Sequence, residues 1–216
     1  MKLAVFDCDG TLADGQAAIC AAMAGAFTAC GLVPPPNNAV RRIVGLSLPV
    51  AVRNLAPDAD NDAQSAVVAA YKQAFFAART AGTLEEPLFE GMAGLIAELV
   101  ADGWTLGVAT GKSDRGLAGL LATHGLSGAF ATLQTSDRHP SKPHPAMLEA
   151  ALVEAGATPQ EAVMIGDTTF DMAMARAAGV RAIGVAWGYH SAEELIAAGA
   201  DGVAETVEEL KAMLDG

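Results

Sequence analysis

Cysteine, aromatic residues and long apolar runs are scarce in this chain of 216 residues. The three cysteines, Cys8, Cys20 and Cys30, are odd in number and lack the paired spacing of a metal site. We therefore expect free thiols, and neither a disulfide framework nor a zinc centre. No apolar run reaches the roughly 20 residues of a membrane-spanning helix. The run after Met1 stops at Asp7, too early for a secretory signal, so we expect a cytoplasmic protein without a membrane partner.

Basic residues are also scarce, since 13 Lys and Arg stand against 25 Asp and Glu and give a formal net charge of −12. A surface of this sign repels polyanions, which argues against nucleic acid and anionic membranes as partners. It repels a small phosphorylated metabolite as well, unless positive charge or a metal ion lies at the binding site. The sequence leaves the oligomeric state open between monomer and homodimer.

Short apolar runs alternate with longer helix-like segments, which is typical of a mostly parallel, Rossmann-like α/β sheet with helices on both faces. The predicted strands are residues 3–6, 104–109, 130–133, 162–165 and 181–186, with a short edge strand beginning near Val203. The predicted helices are residues 92–101, 115–124, 145–155, 171–178 and 192–198. Gly103, Gly156 and Gly179 stand where the helices before three of the strands should end.

The segment between residues 15 and 86 interrupts this alternation. It is rich in alanine, contains no convincing strand, and has prolines at positions 34–36, 49 and 57 that should divide it into short helices. We therefore predict two units: an α/β core of residues 1–14 and 87–216, and a small all-helical cap domain of residues 15–86.

The first predicted strand runs directly into Asp7-Cys8-Asp9-Gly10-Thr11. Strand side chains alternate, so Asp7 and Asp9 should point to one side of the sheet. The carboxyl ends of parallel strands form the usual ligand crevice of an open α/β sheet, and two close carboxylates there favour a cation. A polar turn ending the strand explains the same residues equally well.

A second acidic cluster, Gly166-Asp167-Thr168-Thr169-Phe170-Asp171, follows another apolar strand. Thr168 and Asp171 have the spacing of a capping-box variant that opens the next helix. That interpretation leaves Asp167 unexplained. Together with Asp7 and Asp9, Asp167 gives a set of oxygen ligands suited to Mg²⁺.

Thr110-Gly111-Lys112-Ser113 follows the second long strand and opens a helix. A hydroxyl and backbone amides at a helix N-terminus form an anion site. Ser113 is at the same time an ordinary N-cap residue. We expect Lys112 to be a solvated surface charge.

Lys142 lies in Ser141-Lys142-Pro143-His144-Pro145, immediately before a helix. A cation is mildly unfavourable near a helix N-terminus. This lysine is therefore either exposed by chance or held there to neutralise negative charge.

The order of these groups is informative: paired Asp, then Thr, then Lys, then a second Asp pair. The sequence resembles the haloacid dehalogenase superfamily of phosphohydrolases, whose pattern is D-x-D-G-T, a strand-ending Thr or Ser, a Lys before a helix, and G-D-x-x-x-D. The resemblance covers essentially the whole chain. Residues 179–188 look like the phosphoglycolate phosphatase branch, and the helical insert looks like the family's small cap.

The resemblance implies a Mg²⁺-dependent phosphatase that acts on small phosphorylated metabolites. Asp7 would be the nucleophile that forms an aspartyl-phosphate, and Asp9 the general acid and base. Asp7, the backbone carbonyl of Asp9 and Asp167 would hold Mg²⁺, with Asp171 supporting the metal site.

By the same resemblance, Thr110 and the Gly111 amide would bind phosphoryl oxygens, and Lys142 would neutralise charge on Asp7 and the phosphoryl group. The cap would close over the site through a substrate-facing loop of Gly45, Leu46 and Ser47. The cap arginines nearest that loop could meet a substrate carboxylate such as that of phosphoglycolate, although solvated helix faces are favoured for each of them: Arg41, Arg42 and Arg53.

Several alternatives remain open from the sequence, a pyrophosphatase or nucleotidase of the same superfamily among them. A sugar-phosphate mutase of the β-phosphoglucomutase type would use the same core residues. A non-catalytic receiver-like module would also combine acidic residues, a Thr and a Lys, but such modules are shorter and have no helical insert. Fold alone does not identify the substrate.

Overall fold

In the computed structural model, which describes residues 2–216, six parallel strands form one sheet in the order β3-β2-β1-β4-β5-β6. The strands are β1 (Leu3–Phe6), β2 (Thr105–Thr110), β3 (Thr132–Thr135), β4 (Ala162–Gly166), β5 (Arg181–Val185) and β6 (Gly202–Ala204). The strand order reverses at β1, whose neighbours are β2 and β4. The carboxyl ends of β1 and β4 therefore border the crevice in which open α/β sheets bind ligands.

Helices cover both faces of the sheet, and each face has its own hydrophobic cluster. One face packs against α5 (Met92–Ala101), α6 (Asp114–Thr123) and α10 (Val207–Asp215). The other packs against α7 (Ala146–Ala155), α8 (Thr169–Ala177) and α9 (Ala192–Ala198). Every residue of β1 is buried, as expected for a central strand of a doubly covered parallel sheet.

The prediction of a parallel α/β sheet is confirmed, and most elements begin and end within two residues of their expected positions. The helix stops are confirmed too, since Gly103, Gly156 and Gly179 all have positive φ at or just beyond a helix end. The helix α10 was not predicted.

The segment between β1 and α5 is helical, with α1 (Gln16–Ala29), α2 (Asn37–Arg41), α3 (Leu48–Leu55) and α4 (Asn61–Ala81). We call these four helices and their connections, residues 16–81, the helical insert. The expectation of only short helices is wrong for α4, which has 21 residues. No proline occurs between Pro57 and Pro87, so nothing interrupts this helix.

The helical insert has a hydrophobic cluster of its own, which includes Ile19, Met23, Phe27, Val52 and Val67. The two chain segments that join it to the sheet run side by side. The Asp14 amide donates to the Pro87 carbonyl at 2.8 Å, and the Phe89 amide donates to the Leu12 carbonyl at 3.1 Å. The division into a core and a cap at residues 14/15 and 86/87 stays a prediction.

Within residues 2–216, no helix combines the length and the hydrophobicity that crossing a bilayer requires.

The α5 helix offers a test of the packing. Leu99 is fully buried against the sheet, whereas its neighbour Val100 is 50% exposed. We expect Leu99→Ala to lower the free energy of unfolding by about 2–5 kcal/mol, because it removes buried methyl groups and leaves a cavity. Val100→Ala is the matched control and should change it by about 0.5 kcal/mol at most. Urea unfolding measures both, and equal losses in the two variants would contradict the assigned packing.

Candidate active site

The candidate site begins where β1 ends. The Asp7 amide donates to the Ile165 carbonyl at 2.9 Å, which extends the pairing with β4 by one residue. The amides of residues 11–13 then all donate to the Cys8 carbonyl, at 2.9 to 3.3 Å, so the chain turns tightly. Gly10 has φ +84° in this turn, a conformation that favours glycine. The turn holds Asp7 at the carboxyl edge of the sheet.

Lys142 lies between two of the predicted site carboxylates. Its Nζ is 3.0 Å from Asp7 Oδ1 and 2.6 Å from Asp171 Oδ1, and its side chain is completely buried. Burial alone would lower the pKa of Lys142, but the negative charges of Asp171 and Asp7 raise it by more than burial lowers it. The net shift is therefore upward, and the ammonium group stays charged. The structure therefore supports charge neutralisation over chance exposure.

Asp167 is held in place at the end of β4 by the turn after β1 and by the loop after β5. Its Oδ1 accepts from the Thr11 hydroxyl at 2.7 Å, and its Oδ2 accepts from the Tyr189 amide at 2.9 Å. A Cβ on Gly10 or on Gly188 would lie only 2.2 Å from Asp167 side-chain atoms. Glycine at both positions is therefore required for this close approach.

Asp171 has two sets of partners. Its Oδ2 accepts from the Thr168 amide at 3.1 Å and the Thr168 hydroxyl at 2.6 Å, which confirms the capping-box expectation. Its Oδ1 is the oxygen that accepts from Lys142. The capping interaction thus fixes the orientation of a carboxylate that also contributes to the buried charge cluster.

Carboxylate oxygens of Asp7, Asp167 and Asp171 lie within 4.8 Å of one another, and all three residues are buried. Burial raises the pKa of Asp7 to about 7, although Lys142 opposes the shift. Burial and the neighbouring carboxylates also raise the pKa of Asp167 well above its usual range. Asp7 Oδ2 is buried without a hydrogen-bond partner among the described residues. A hard divalent cation such as Mg²⁺ fits this donor set, because it would bind the orphaned oxygen and offset the excess negative charge.

Asp9 belongs to a second charge cluster. Lys112 Nζ lies 3.0 Å from Asp9 Oδ1 and 2.6 Å from Glu86 Oε1, and Glu86 Oε2 is 3.2 Å from an Arg79 nitrogen. The expectation that Lys112 is a solvated surface charge is wrong, because its side chain is only 9% exposed. Burial alone would lower the pKa of Lys112, but the negative charge of Asp9 and Glu86 raises it overall. Burial raises the pKa of Asp9, and Lys112 opposes that shift.

The sequence analysis gave no role in the site to Lys112, Glu86 or Arg79. A signal existed for Lys112, since it follows Thr110 at the same carboxyl edge of the sheet as Asp9. No comparable signal marks Glu86, which lies in the connection after α4, or Arg79, which lies in the last turn of α4.

Thr110 and Gly111 lie where they were predicted, at and just beyond the end of β2. The Thr110 side chain is buried, and its Oγ1 accepts from the Lys112 amide at 3.3 Å. The α6 helix begins immediately afterwards, with the Ser113 hydroxyl accepting from the Gly116 amide as an N-cap.

The loop predicted to face the substrate lies directly over Gly111. A Cβ at this position would come within 2.6 Å of the carbonyl oxygens of both Gly45 and Leu46. The next amide, that of Ser47, donates to the Ser141 hydroxyl at 2.9 Å. The helical insert is therefore in contact with the loops at the carboxyl edge of the sheet.

A cavity of about 390 Å³ lies between this edge and the helical insert. Asp7, Asp9, Thr110 and Gly111 line its floor, and Gly45 and Leu46 line its side. Ser47 is not among the lining residues, and neither are the three arginines considered for a substrate carboxylate. Of these, Arg42 is paired with Glu194 at 2.7 Å.

Comparison with known proteins identifies the family. The model of the haloacid dehalogenase-like hydrolases matches residues 4–185. The chain belongs to this family. It is 35% identical over 211 residues to a probable phosphatase, IndB, of Dickeya dadantii, covering 96% of this chain and 91% of the relative. A phosphoglycolate phosphatase of Pseudomonas putida is 30% identical over 218 residues, covering 100% of this chain and 79% of the relative.

The fold agrees with this assignment. A solved structure from Clostridium acetobutylicum, described as a predicted phosphatase, superimposes with a TM-score of 0.89 at 25% identity, covering 99% of this chain and 97% of that one. The family and these relatives show that the protein is a phosphoric monoester hydrolase with a haloacid dehalogenase-like fold. They decide against the non-catalytic, receiver-like alternative.

The Asp9 cluster generates a stability prediction. We expect Lys112→Met to lower the free energy of unfolding by about 3 kcal/mol, because it leaves the buried Asp9 and Glu86 carboxylates without their shared cation. Lys72→Met is the matched control, since Lys72 is exposed on α4, and it should change the value by about 0.5 kcal/mol at most. Urea unfolding at pH 7 compares the two variants, and an unaffected Lys112→Met protein would show that the ion pairs do not form.

Proposed function

We propose that this phosphatase is Mg²⁺-dependent and hydrolyses small phosphate monoesters through an aspartyl-phosphate formed on Asp7. The observation that supports it most is the environment of Asp7 at the cavity floor. One of its carboxylate oxygens pairs with Lys142, while the other is buried and has no partner among the described residues. A buried oxygen left free in a ligand cavity is suited to attack or to cation binding.

In the first step, an Asp7 oxygen would form a bond to phosphorus as the bond between phosphorus and the ester oxygen breaks. Asp9 would give its proton to the departing alcohol oxygen. In the second step, water would attack the phosphorus and give a proton to Asp9, and the bond to Asp7 would break to release phosphate. Asp9 suits this exchange because burial raises its pKa while Lys112 limits the rise.

Mg²⁺ would be held by the carboxylates of Asp7 and Asp167 and the backbone carbonyl of Asp9, with Asp171 beside them. When bound, the ion supplies positive charge to the phosphoryl oxygens. Lys142 lies beside Asp7 and adds charge on the same side, and Thr110 with the Gly111 amide would bind the phosphoryl oxygens. Phosphoryl transfer depends mainly on such positioning and charge stabilisation.

The helical insert would act as the cap that excludes water from the cavity. Gly45 and Leu46 support this assignment because they lie against Gly111 and line the cavity.

A sugar-phosphate mutase of the β-phosphoglucomutase type would use the same core residues. Its product from glucose 1-phosphate would be an isomeric sugar phosphate, without release of phosphate.

Replacing the nucleophile tests the covalent step. We expect Asp7→Asn to reduce phosphate release from any ester by at least about 1,000-fold, because the amide is a far weaker nucleophile. Circular dichroism and the unfolding midpoint should show a folded protein. Brief incubation of the wild type with substrate, followed by acid quenching and peptide mass spectrometry, should locate the phosphate on Asp7. Near-normal turnover in Asp7→Asn would exclude this residue as the nucleophile.

Metal binding can be tested without turnover. Mg²⁺ should raise the thermal unfolding midpoint of the wild type, because it binds the folded carboxylate cluster and not the unfolded chain. Asp167→Asn should lose most of this increase, since it removes one buried ligand. Asp58→Asn is the control, because Asp58 is exposed in the helical insert, and it should keep the full increase. An increase of equal size in all three proteins would place the ion elsewhere.

A further inference from the structure

The cavity has two chemically different sides. Its floor is polar and contains the candidate catalytic groups, whereas the wall that the helical insert contributes is mostly hydrocarbon. Side chains from α1, α3, α4 and the segment between α2 and α3 form this wall, including Ile19, Met23, Leu46, Leu48, Phe75 and Phe76. Within residues 2–216, the only polar side chains that the helical insert contributes to the cavity lining are those of Tyr71, Lys72 and Arg79.

The cations at the inner part of the cavity are already paired. Lys112 contacts Asp9 and Glu86, and Arg79 contacts Glu86. Two further lining cations, Lys72 and Arg115, are exposed to solvent at the outer side, and the Arg115 guanidinium lies 4.4 Å from the centre of the Phe76 ring. No unpaired buried cation among the described residues therefore faces the space above Asp7 and Asp9.

We propose that the alcohol portion of the substrate is apolar, carrying an aromatic or branched hydrocarbon group that packs against Phe75, Phe76 and Leu46. This inference rests on the proposed phosphatase function and names its substrate class. The side chains of Phe75, Phe76 and Leu46 offer no hydrogen-bond donor or acceptor, so a carboxylate or sugar hydroxyl buried against them would lose water without gaining a partner. An apolar group gains free energy by the same transfer, and aromatic side chains add favourable ring contacts.

The size of the cavity agrees with this substrate class. About 390 Å³ is within the range of pockets that enclose whole small ligands and is much more than the two-carbon alcohol portion of phosphoglycolate needs. On the α4 wall, Phe75 also packs against Tyr71, with ring centres 4.9 Å apart. Tyr71 and Phe75 thus present neighbouring rings on the α4 wall, against which a hydrocarbon group of the substrate could pack.

The test compares phosphate esters whose alcohol portions differ in polarity. The panel contains methyl phosphate, benzyl phosphate, glycerol 3-phosphate, glucose 1-phosphate and phosphoglycolate, each with saturating Mg²⁺. We expect kcat/KM for benzyl phosphate to exceed that for each of the other esters by about 10- to 100-fold, the value expected for burying one phenyl ring. Phosphoglycolate or glucose 1-phosphate turning over as fast as benzyl phosphate would overturn the inference.

Variants in the wall should change this preference. The ratio of kcat/KM between benzyl and methyl phosphate should fall about ten-fold in Phe75→Ala and about three-fold in Phe76→Ala. Phe76 is 44% exposed, so its replacement should leave the helical insert folded even if that of Phe75 does not. Ile196→Ala is the control, because Ile196 is 52% exposed on α9 and does not line the cavity, and its ratio should equal that of the wild type. Unchanged ratios in both Phe variants would place the alcohol portion elsewhere.

Binding separates this inference from the proposed function. If no ester releases phosphate, the proposed function fails, and the wall is then tested by titrating the protein with benzylphosphonate and with phosphonoacetate in a calorimeter. Tighter binding of benzylphosphonate supports an apolar ligand. Equal or tighter binding of phosphonoacetate, or no binding of either compound, overturns it. If methyl phosphate is hydrolysed in an Asp7-dependent manner without any preference for benzyl phosphate, the inference alone fails.

Discussion

The structure depends on holding several like charges together away from water. Carboxylate oxygens of Asp7, Asp167 and Asp171 lie within 4.8 Å of one another, and among residues 2–216 Lys142 is the only buried cation paired with them. Such a cluster opposes folding unless its charges are paired and hydrogen-bonded. The fold supplies partners from elements that serve another purpose as well, namely the N-cap of α8 and the turns after β1 and β5. The result is a buried site with excess negative charge, which a bound divalent cation would offset.

Much of this arrangement could be predicted from the sequence because it follows from local rules. Because the ends of parallel strands meet at one edge of the sheet, the sequence predicts that Asp7 and Asp167 lie close together. The spacing of Thr168 and Asp171 was sufficient to predict the capping box. What the local rules did not give is the second role of Asp171, because its contact with Lys142 spans 29 residues and has no sequence pattern.

The errors have a common physical origin. A single charged residue carries no information about its burial, and Lys112 was therefore assigned to the surface although two carboxylates enclose its ammonium group. Glu86 and Arg79 were missed because no sequence pattern shows that the end of α4 and the connection after it lie close to Asp9. The length of α4 was underestimated because prolines earlier in the segment were taken to apply to all of it. In each case the deciding interaction is tertiary.

The two charge clusters give the paired Asp residues different surroundings on either side of one turn. Asp7 pairs with Lys142, which also pairs with Asp171 on α8, a helix that packs on the sheet. Asp9 faces Lys112, whose second partner Glu86 is joined to Arg79 at the end of the helical insert. The negative charge of Glu86 raises the pKa of Asp9 and the positive charge of Lys112 lowers it, and Arg79 of α4 pairs with the same Glu86 carboxylate. The pKa of Asp9, unlike the position of Asp7, is therefore physically linked to where the helical insert sits.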